Sequence, residues 1–182
     1  MNPSKKTVSV RALARVSLCA ALMAVCAWIS IPTAVPFTMQ TFAVFFALLF
    51  LDGRQGLAAI GVYIALGAAG LPVFAGFQGG PGVLLGPTGG YILGFLLTGL
   101  IYGLCIPRFG KSNAAKIFVL LIGLLSCYAA GSLWYICVYA KNENAMRLGL
   151  LLSVCVIPYI IPDLIKLFLA VLLSRRLKRP EA

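Results

Sequence analysis

The chain of 182 residues is strongly apolar, with 62% hydrophobic residues, only 10% charged residues and a mean hydropathy of +1.03. This composition excludes an ordinary soluble domain and a disordered one, and it predicts an all-α protein that crosses a membrane several times. The formal net charge is +11, but the basic residues stand at the ends of apolar runs and not in a stripe with interleaved aromatics, so nucleic acid is not an expected partner. The six cysteines form no Cys-x-x-Cys pair and histidine is absent from the sequence, so neither a metal nor a cofactor is expected.

Three apolar runs near the start of the chain predict three membrane spans, at about 10–31, 37–51 and 55–71. Pro32 and Pro36 separate the first two runs as an extended loop, because a helix cannot run through them. The apolar part of the second run, from residue 40 to residue 51, would form a helix about 18 Å long, which is short of a hydrocarbon core of about 30 Å. The charged turn that begins at Asp52 favours two short crossings over the alternative, a single re-entrant hairpin.

The first predicted span carries a strip of small residues. Ala20 and Ala24 are four residues apart, which places them on one face of a helix and allows a second helix to approach closely. The spacing alone leaves open whether this second helix belongs to the same bundle or to a partner protein.

A glycine-rich segment with three prolines occupies residues 67–94. Glycine permits positive φ and close contact between backbones, so we expect residues 71–85 to form an ordered loop that is covered by protein or by a wet cavity. The fourth span is predicted at about 87–106. Gly86, Gly90 and Gly94 are expected to lie on one face of this helix. For this face, packing against another helix is favoured over contact with a ligand.

Two further spans, at about 114–140 and 147–174, bring the prediction to a single domain of six transmembrane helices.

The segment 110–112 looks like the tail of a phosphate-binding loop, but Cys105 replaces the first glycine of that motif. Nucleotide binding is therefore rejected. Because the sequence lacks histidine and offers a single buried acid, Asp163, it is not expected to be an enzyme.

The basic residues at the ends of the predicted spans fall mainly on one side of the membrane. Twelve of the fifteen lie on the side of the chain termini, two lie in the turn 141–147 on the other side, and Lys166 lies within a span. The positive-inside rule therefore predicts that both termini are cytoplasmic. The proline loop 32–39, the glycine loop 71–86 and the turn 141–147 would then face outward and cap a ligand cavity. The twelve basic residues are Lys5, Lys6, Arg11, Arg15, Arg54, Arg108, Lys111, Lys116, Arg175, Arg176, Lys178 and Arg179.

The last apolar run contains an acid and a base, in the stretch PYIIPDLIK. Asp163 and Lys166 are three residues apart and therefore share one helix face. An ionisable residue at mid-membrane costs about 3 kcal/mol or more, so it is retained where it is paired, faces the bundle interior or serves a ligand. Pro162 is predicted to break the helix and to place Asp163 in the first turn of a new half-helix, which is typical of a solute site. The alternative is that the two charges neutralise each other and only hold a kink.

The charged pair suits a ligand with two kinds of polar group. Lys166 can neutralise a carboxylate, and Asp163 can accept hydrogen bonds from N–H groups. Aromatic and amide side chains of the outward segments would complete an amphipathic pocket. The other predicted binding residues are Thr38, Gln40, Gln78, Tyr91 and Tyr159, with Phe37, Phe74 and Phe77 beside them.

A resemblance to a known family rests on the run from Gly79 to Tyr91, the Pro162-Asp163-x-x-Lys166 motif and the layout of six spans. Together these features resemble BioY, the biotin-specific S component (substrate-binding subunit) of energy-coupling factor (ECF) transporters, over nearly the whole chain. The resemblance implies biotin as the transported ligand and a bacterial cell membrane as the location. It leaves open which member of the charged pair meets the ureido ring of biotin and which meets the carboxylate.

The resemblance also implies partners. BioY-like S components work with a membrane scaffold subunit and two cytoplasmic ATPases, which agrees with the rejection of a nucleotide site in this chain. By the same resemblance, Ala20 and Ala24 are expected to contact the scaffold.

Two other classes of membrane protein remain as alternatives. A stand-alone permease driven by an ion gradient would also carry an acid at mid-span, and its uptake would collapse with an ionophore and would not need ATPases. A membrane interaction subunit without transport activity would bind no small molecule.

Overall fold

The structure is a computed structural model that describes residues 9–33, 35–110, 112–139 and 148–178. The turn 141–147, with the two basic residues assigned to the outer side, lies outside the described residues. So do four of the twelve basic residues assigned to the other side, which are Lys5, Lys6, Lys111 and Arg179.

The predicted all-α class is confirmed, since helices account for most of the described chain. In order, the helices are α1 (Val10–Trp28), α2 (Gln40–Leu51), α3 (Gly53–Ala68), α4 (Pro81–Leu85), α5 (Gly89–Phe109), α6 (Asn113–Tyr139), α7 (Leu148–Cys155) and α8 (Ile157–Leu177). Two short strands, β1 (Ser30–Ile31) and β2 (Phe37–Thr38), and a 3₁₀ turn at Ala75–Phe77 complete the structure. Among the described residues, four helical stretches are long and apolar enough to cross a membrane, namely Val10–Trp28, Gly89–Phe109, Asn113–Val138 and Gly149–Leu177.

Helix α2 lies at the centre of the bundle. Nine of its 12 residues are buried, and it contacts α1, α3, α5 and α8. A helix that is apolar on all sides is buried either in protein or in lipid, and here protein surrounds most of α2. Its polar N-terminal residue, Gln40, is also buried, and this end of α2 forms part of the cavity described below.

Glycines allow α5 and α6 to pack closely. A Cβ atom on Gly90 would lie 2.2 Å from Trp134 of α6, and a Cβ atom on Gly94 would lie 2.8 Å from the Cys127 sulfur. The favoured interpretation of these two glycines, packing against another helix, therefore agrees with the structure. Gly86 differs, because it lies before α5, where its carbonyl accepts a hydrogen bond from Trp134 Nε1 at 3.1 Å.

The first loop is more ordered than the sequence analysis predicted. Phe37 and Thr38 were assigned to the second span, but they form β2, which pairs antiparallel with Ser30 and Ile31 of β1. Helix α1 consequently ends at Trp28 and not at residue 31. The prolines in the connection exclude a helix but permit extended strands, so the segment folds as a β-hairpin.

The predicted ends of the fourth span were also wrong. Helix α5 begins at Gly89 because Pro87 and Thr88 form a turn before it. It continues through Pro107 and ends at Gly110, which has a φ of 88°. A proline so near the end of a helix removes only one hydrogen bond of the last turns, and the positive φ of the glycine is what ends the helix.

The assignment of Ala20 and Ala24 to a partner surface is corrected by the structure. These residues are 3% and 7% exposed, so they face the interior, where α1 contacts α2 and α3. Close packing of helices within the bundle, the other interpretation of this spacing, explains why Ala20 and Ala24 are small and buried. The spacing of small residues cannot distinguish the two faces of α1, because Ser17 and Ala21 repeat the same spacing on the exposed side.

The break in the last apolar run lies one to two turns earlier than predicted. It falls at Val156, between α7 and α8, where φ is −126° and ψ is −59°. Pro158 occupies the first turn of α8, where no N–H donor is needed, whereas Pro162 lies inside the helix. Asp163 is therefore in the second turn of α8, and its side chain points into the bundle, where it is 3% exposed.

Candidate ligand-binding site

A cavity lies between the β-hairpin, the glycine-rich loop and the helices α2, α5, α6, α7 and α8. It contains about 760 Å³ of space between atoms, including its opening to solvent. The seven predicted binding residues Thr38, Gln40, Gln78, Tyr91, Tyr159, Asp163 and Lys166 all line it. The structure therefore brings together residues from four separate stretches of the sequence.

Asp163 accepts hydrogen bonds from three parts of the fold. Its Oδ1 atom receives bonds from Thr41 Oγ1 and Lys166 Nζ, each at 2.8 Å. Its Oδ2 atom receives a bond from the Tyr128 hydroxyl at 2.6 Å. Because these donors belong to α2, α8 and α6, the carboxylate links three helices at the cavity wall.

Lys166 is held equally firmly. Its Nζ atom donates to the backbone carbonyl of Thr38 at 2.7 Å and to Asp163 at 2.8 Å, and it lies 4.1 Å from the centroid of the Phe37 ring. The two hydrogen bonds use two of the three N–H donors of the ammonium group, and the aromatic face acts as a cation–π partner. The lysine therefore ties the β-hairpin to α8 across the cavity.

The two charges differ in their remaining hydrogen-bonding capacity. An ionised carboxylate offers about four acceptor positions, and three are used by Thr41, Tyr128 and Lys166. Among the described residues, Oδ2 receives a single bond, so one acceptor position is available to a ligand. Lys166 Nζ already makes two hydrogen bonds within the protein and lies over the Phe37 ring, so a ligand that bonds to its third donor competes with this ring.

Gln40 and Thr38 support the cavity wall mainly through contacts with each other and with Tyr63. The Thr38 hydroxyl donates to Gln40 Oε1 at 3.0 Å, and Gln40 Nε2 donates to the Tyr63 hydroxyl. Tyr63 in turn donates to the carbonyl of Val73 at 3.2 Å. This chain of hydrogen bonds joins the β-hairpin to the start of the glycine-rich loop, so both loops are ordered around the cavity.

The two predicted tyrosines lie on opposite walls. The Tyr159 hydroxyl bonds to the carbonyl of Val35 and lies 2.8 Å from the Thr33 hydroxyl, which attaches α8 to the hairpin a second time. The Tyr91 hydroxyl lies 3.5 Å from Ser132 on α6. Tyr159 is half-buried and Tyr91 is 8% exposed, so both present ring surface to a ligand.

The exposed side of the cavity is formed by the glycine-rich loop. Gln78 is exposed there, and its carbonyl accepts a hydrogen bond from the Phe74 N–H at 2.9 Å. Phe74 lines the cavity as expected. Phe77 does not, because its side chain is 63% exposed and stacks on Trp28 with ring centroids 5.0 Å apart.

Several lining residues were not predicted from the sequence. Thr41 and Tyr128 hold the carboxylate, and Cys127, Cys155 and Thr88 also line the cavity. Tyr128 places a phenol hydroxyl in the apolar middle of α6, where it needs a hydrogen-bond partner, which is a signal that could have identified it. Thr41 gives no such signal, because it follows Gln40 directly and its role depends on the tertiary fold.

Comparisons with known proteins match this chain to one family over nearly its whole length. A sequence model of the BioY family matches residues 2–181. The chain is 41% identical over 173 residues to a protein named biotin transporter BioY from Thermotoga maritima, covering 94% of this chain and 98% of the relative. It is 40% identical over 164 residues to a probable biotin transporter BioY from Pyrococcus horikoshii, covering 90% and 93%.

A solved structure is similar over nearly the same extent. It is a 2.1 Å crystal structure of the S-component for biotin from an ECF-type ABC transporter, and it superposes with a TM-score of 0.80 at 27% sequence identity. The match covers 98% of this chain and 94% of the other.

Proposed function

The chain belongs to the BioY family, and from this membership we infer that it is a biotin-binding subunit of a membrane uptake transporter and not an enzyme. One observation carries the assignment of its site: a buried acid–base pair forms part of the wall of a cavity that is open to solvent. A charged pair replaced by hydrocarbon of similar size is often neutral or favourable for stability. Its presence beside a cavity is therefore better explained by a ligand than by the kink of α8.

We propose that the ureido ring of biotin lies against Asp163. The ring carries two N–H donors, and the available acceptor position of the carboxylate is on Oδ2, next to the bond from Tyr128. A hydrogen bond to a charged group contributes about 1.5–3 kcal/mol. The ureido ring is uncharged, so its transfer to this buried end costs far less than the transfer of a carboxylate would.

The carboxylate of biotin is assigned to the opposite, exposed end of the cavity, beside Gln78 and Thr88. Gln78 is exposed and Thr88 is half-buried, so the carboxylate keeps much of its hydration there. Lys166 neutralises Asp163 and holds the hairpin, and it is not the partner of the ligand carboxylate. This division of roles is the proposed answer to the question that the sequence left open.

Biotin and biotinamide, in which a neutral amide replaces the carboxylate, distinguish the two orientations. If the carboxylate lies at the exposed end, its replacement costs at most about 1 kcal/mol, which is roughly a fivefold change in Kd. If it pairs with the buried Lys166, the loss is about 2–5 kcal/mol, or roughly thirtyfold or more. Calorimetric titration of the purified chain with both compounds measures the difference, and a loss in the second range would reverse the proposed orientation.

We also propose six crossings with both termini in the cytoplasm. The two short crossings are α2 and α3, with 12 and 16 residues, and the burial of α2 among other helices compensates for its short length. The excess of basic residues at the end of the bundle that carries Arg54, Arg108 and Arg175 supports the orientation. Reporter fusions after residues 53 and 182 should both report a cytoplasmic position, and an external signal from either would contradict it.

The proposed partners are a membrane scaffold and two ATPases of an ECF module. The likeness to an S-component of an ECF-type transporter supports this assignment. On α1, Ser17 and Ala21 are exposed and leave room for a helix of the scaffold, whereas Ala20 and Ala24 do not. Biotin uptake by cells should require co-expression of the scaffold and ATPases, and uptake that persists without them but stops with an ionophore would favour a stand-alone permease.

A further inference from the structure

A second cavity lies at the other end of α2 from the biotin site. It contains about 530 Å³ of space between atoms, including open solvent, between the start of α6 and the end of α8. Three basic residues line it, Lys116 on α6, Arg175 on α8 and Lys178 directly after α8. Its floor includes Leu49 and Val171, which are 5% and 7% exposed. We call this cavity the basic groove.

Among the described residues, the lining of the basic groove contains three basic side chains and no acidic one. Lys178 Nζ lies 3.2 Å from Asp52 Oδ1, and the side chain of Asp52 is 81% exposed. A pair this exposed is screened by water and contributes little. Arg175 is exposed, and Asn113 and Ser174 add polar side chains to the same lining. The groove therefore presents a positive field with additional hydrogen-bonding groups.

We propose that the basic groove binds the phosphate of an anionic phospholipid headgroup. The groove lies where α6 begins and α8 ends, and both helices are long and apolar enough to span the membrane, so it stands at the level of the headgroups. Basic pockets between transmembrane helices at this level are suited to such headgroups. The apolar floor favours a lipid over a free phosphate ion, because Leu49 and Val171 offer hydrocarbon contact to the glycerol and first acyl carbons.

The test compares two phospholipids with the same acyl chains, phosphatidylglycerol and the zwitterionic phosphatidylcholine, on the purified full-length chain. Native mass spectrometry of the protein in detergent measures the lipid retained as its concentration is raised. The groove variant is Lys116→Gln with Arg175→Gln. The matched control is Arg54→Gln with Arg176→Gln, which removes the same charge from exposed positions outside the groove lining. Biotin titration of each variant shows that the bundle is folded, and Arg175→Gln with Lys178→Gln serves as a second groove variant if the first does not fold.

The proposal predicts that the protein prefers phosphatidylglycerol and that the groove variant weakens its binding by roughly thirtyfold, since each basic side chain near an anionic headgroup contributes about fivefold. The control variant should change it by less than about threefold by the screening of exposed charges, and biotin binding should be the same in all proteins. Equal loss in the groove and control variants would overturn the proposal. Displacement of the lipid by millimolar inorganic phosphate or by a polyglutamate peptide would overturn the assignment to a lipid and identify a free anion or an acidic partner.

Discussion

Replacing the buried charged pair with apolar side chains should preserve the bundle and abolish the ligand site. Asp163 and Lys166 are 3% and 4% exposed, and Nζ lies 2.8 Å from Oδ1. Lys166→Met alone leaves Asp163 buried without its counter-charge, which costs about 3–5 kcal/mol of stability. The double variant Asp163→Leu with Lys166→Met replaces the pair with packed hydrocarbon, which is often neutral or stabilising by about 1–4 kcal/mol. The double variant is therefore expected to be more stable than the single one.

Biotin binding should be lost in the stable double variant. Without the Asp163 carboxylate, the complex loses a charge-assisted hydrogen bond of about 1.5–3 kcal/mol and leaves a ureido N–H unpaired at a further cost of about 1–3 kcal/mol. The sum corresponds to roughly a hundredfold weaker binding or more. Thermal unfolding and calorimetric titration with biotin, both in the same detergent, separate the effect on stability from the effect on binding.

An exposed pair in the same protein provides the control. Asp52 and Lys178 are 3.2 Å apart with side chains 81% and 39% exposed, so Asp52→Asn with Lys178→Met should change neither stability nor binding appreciably. Asparagine is used because Asp52 has a φ of 71°, which asparagine tolerates better than leucine. The reasoning would be refuted by a double variant at 163 and 166 that binds biotin like the unmodified chain, because the pair would then serve only the kink of α8.

Two further substitutions test the surroundings of the site. Tyr128→Phe removes the 2.6 Å hydrogen bond to Asp163 and should lower the stability of the biotin-free protein by about 1.5–3 kcal/mol. Biotin should then raise the Tm of this variant more than it raises the Tm of the unmodified chain, because a ureido N–H replaces the lost donor. An unchanged biotin-induced shift in Tm would contradict this role. Gly131→Ala places a Cβ atom 2.2 Å from the Tyr91 ring and should lower Tm through overpacking of about 1–3 kcal/mol. Gly61→Ala meets nothing within 4 Å and should raise Tm slightly, so equal effects of the two alanines would refute the packing argument.

The class of the fold and the main chemistry of the site were predictable from the sequence. Apolar runs of sufficient length identify the spans, because the hydrocarbon core sets their length. Asp163 and Lys166 stand out because a charge in such a run is costly. The glycines at 90 and 94 predicted a close helix contact, which the structure places between α5 and α6.

The parts that were not predictable depend on tertiary contacts. The β-hairpin pairs strands of only two residues, too short to leave a periodic pattern. The burial of Ala20 and Ala24 could not be separated from the exposure of Ser17 and Ala21, because both strips have the same spacing. Thr41 contacts Asp163 only because α2 and α8 pack against each other at that point. Such a tertiary contact cannot be predicted from the local sequence.

The most direct test of the account is the titration of the purified chain alone with biotin, beside two matched variants. The unmodified chain and Asp52→Asn should bind biotin saturably at concentrations on the order of micromolar or below, at one molecule per chain. Asp163→Ala should retain the folded bundle, as judged by circular dichroism, and should bind at least roughly a hundredfold more weakly. Absence of binding by the unmodified chain, or equal binding by all three proteins, would contradict the assignment of this cavity as the biotin site.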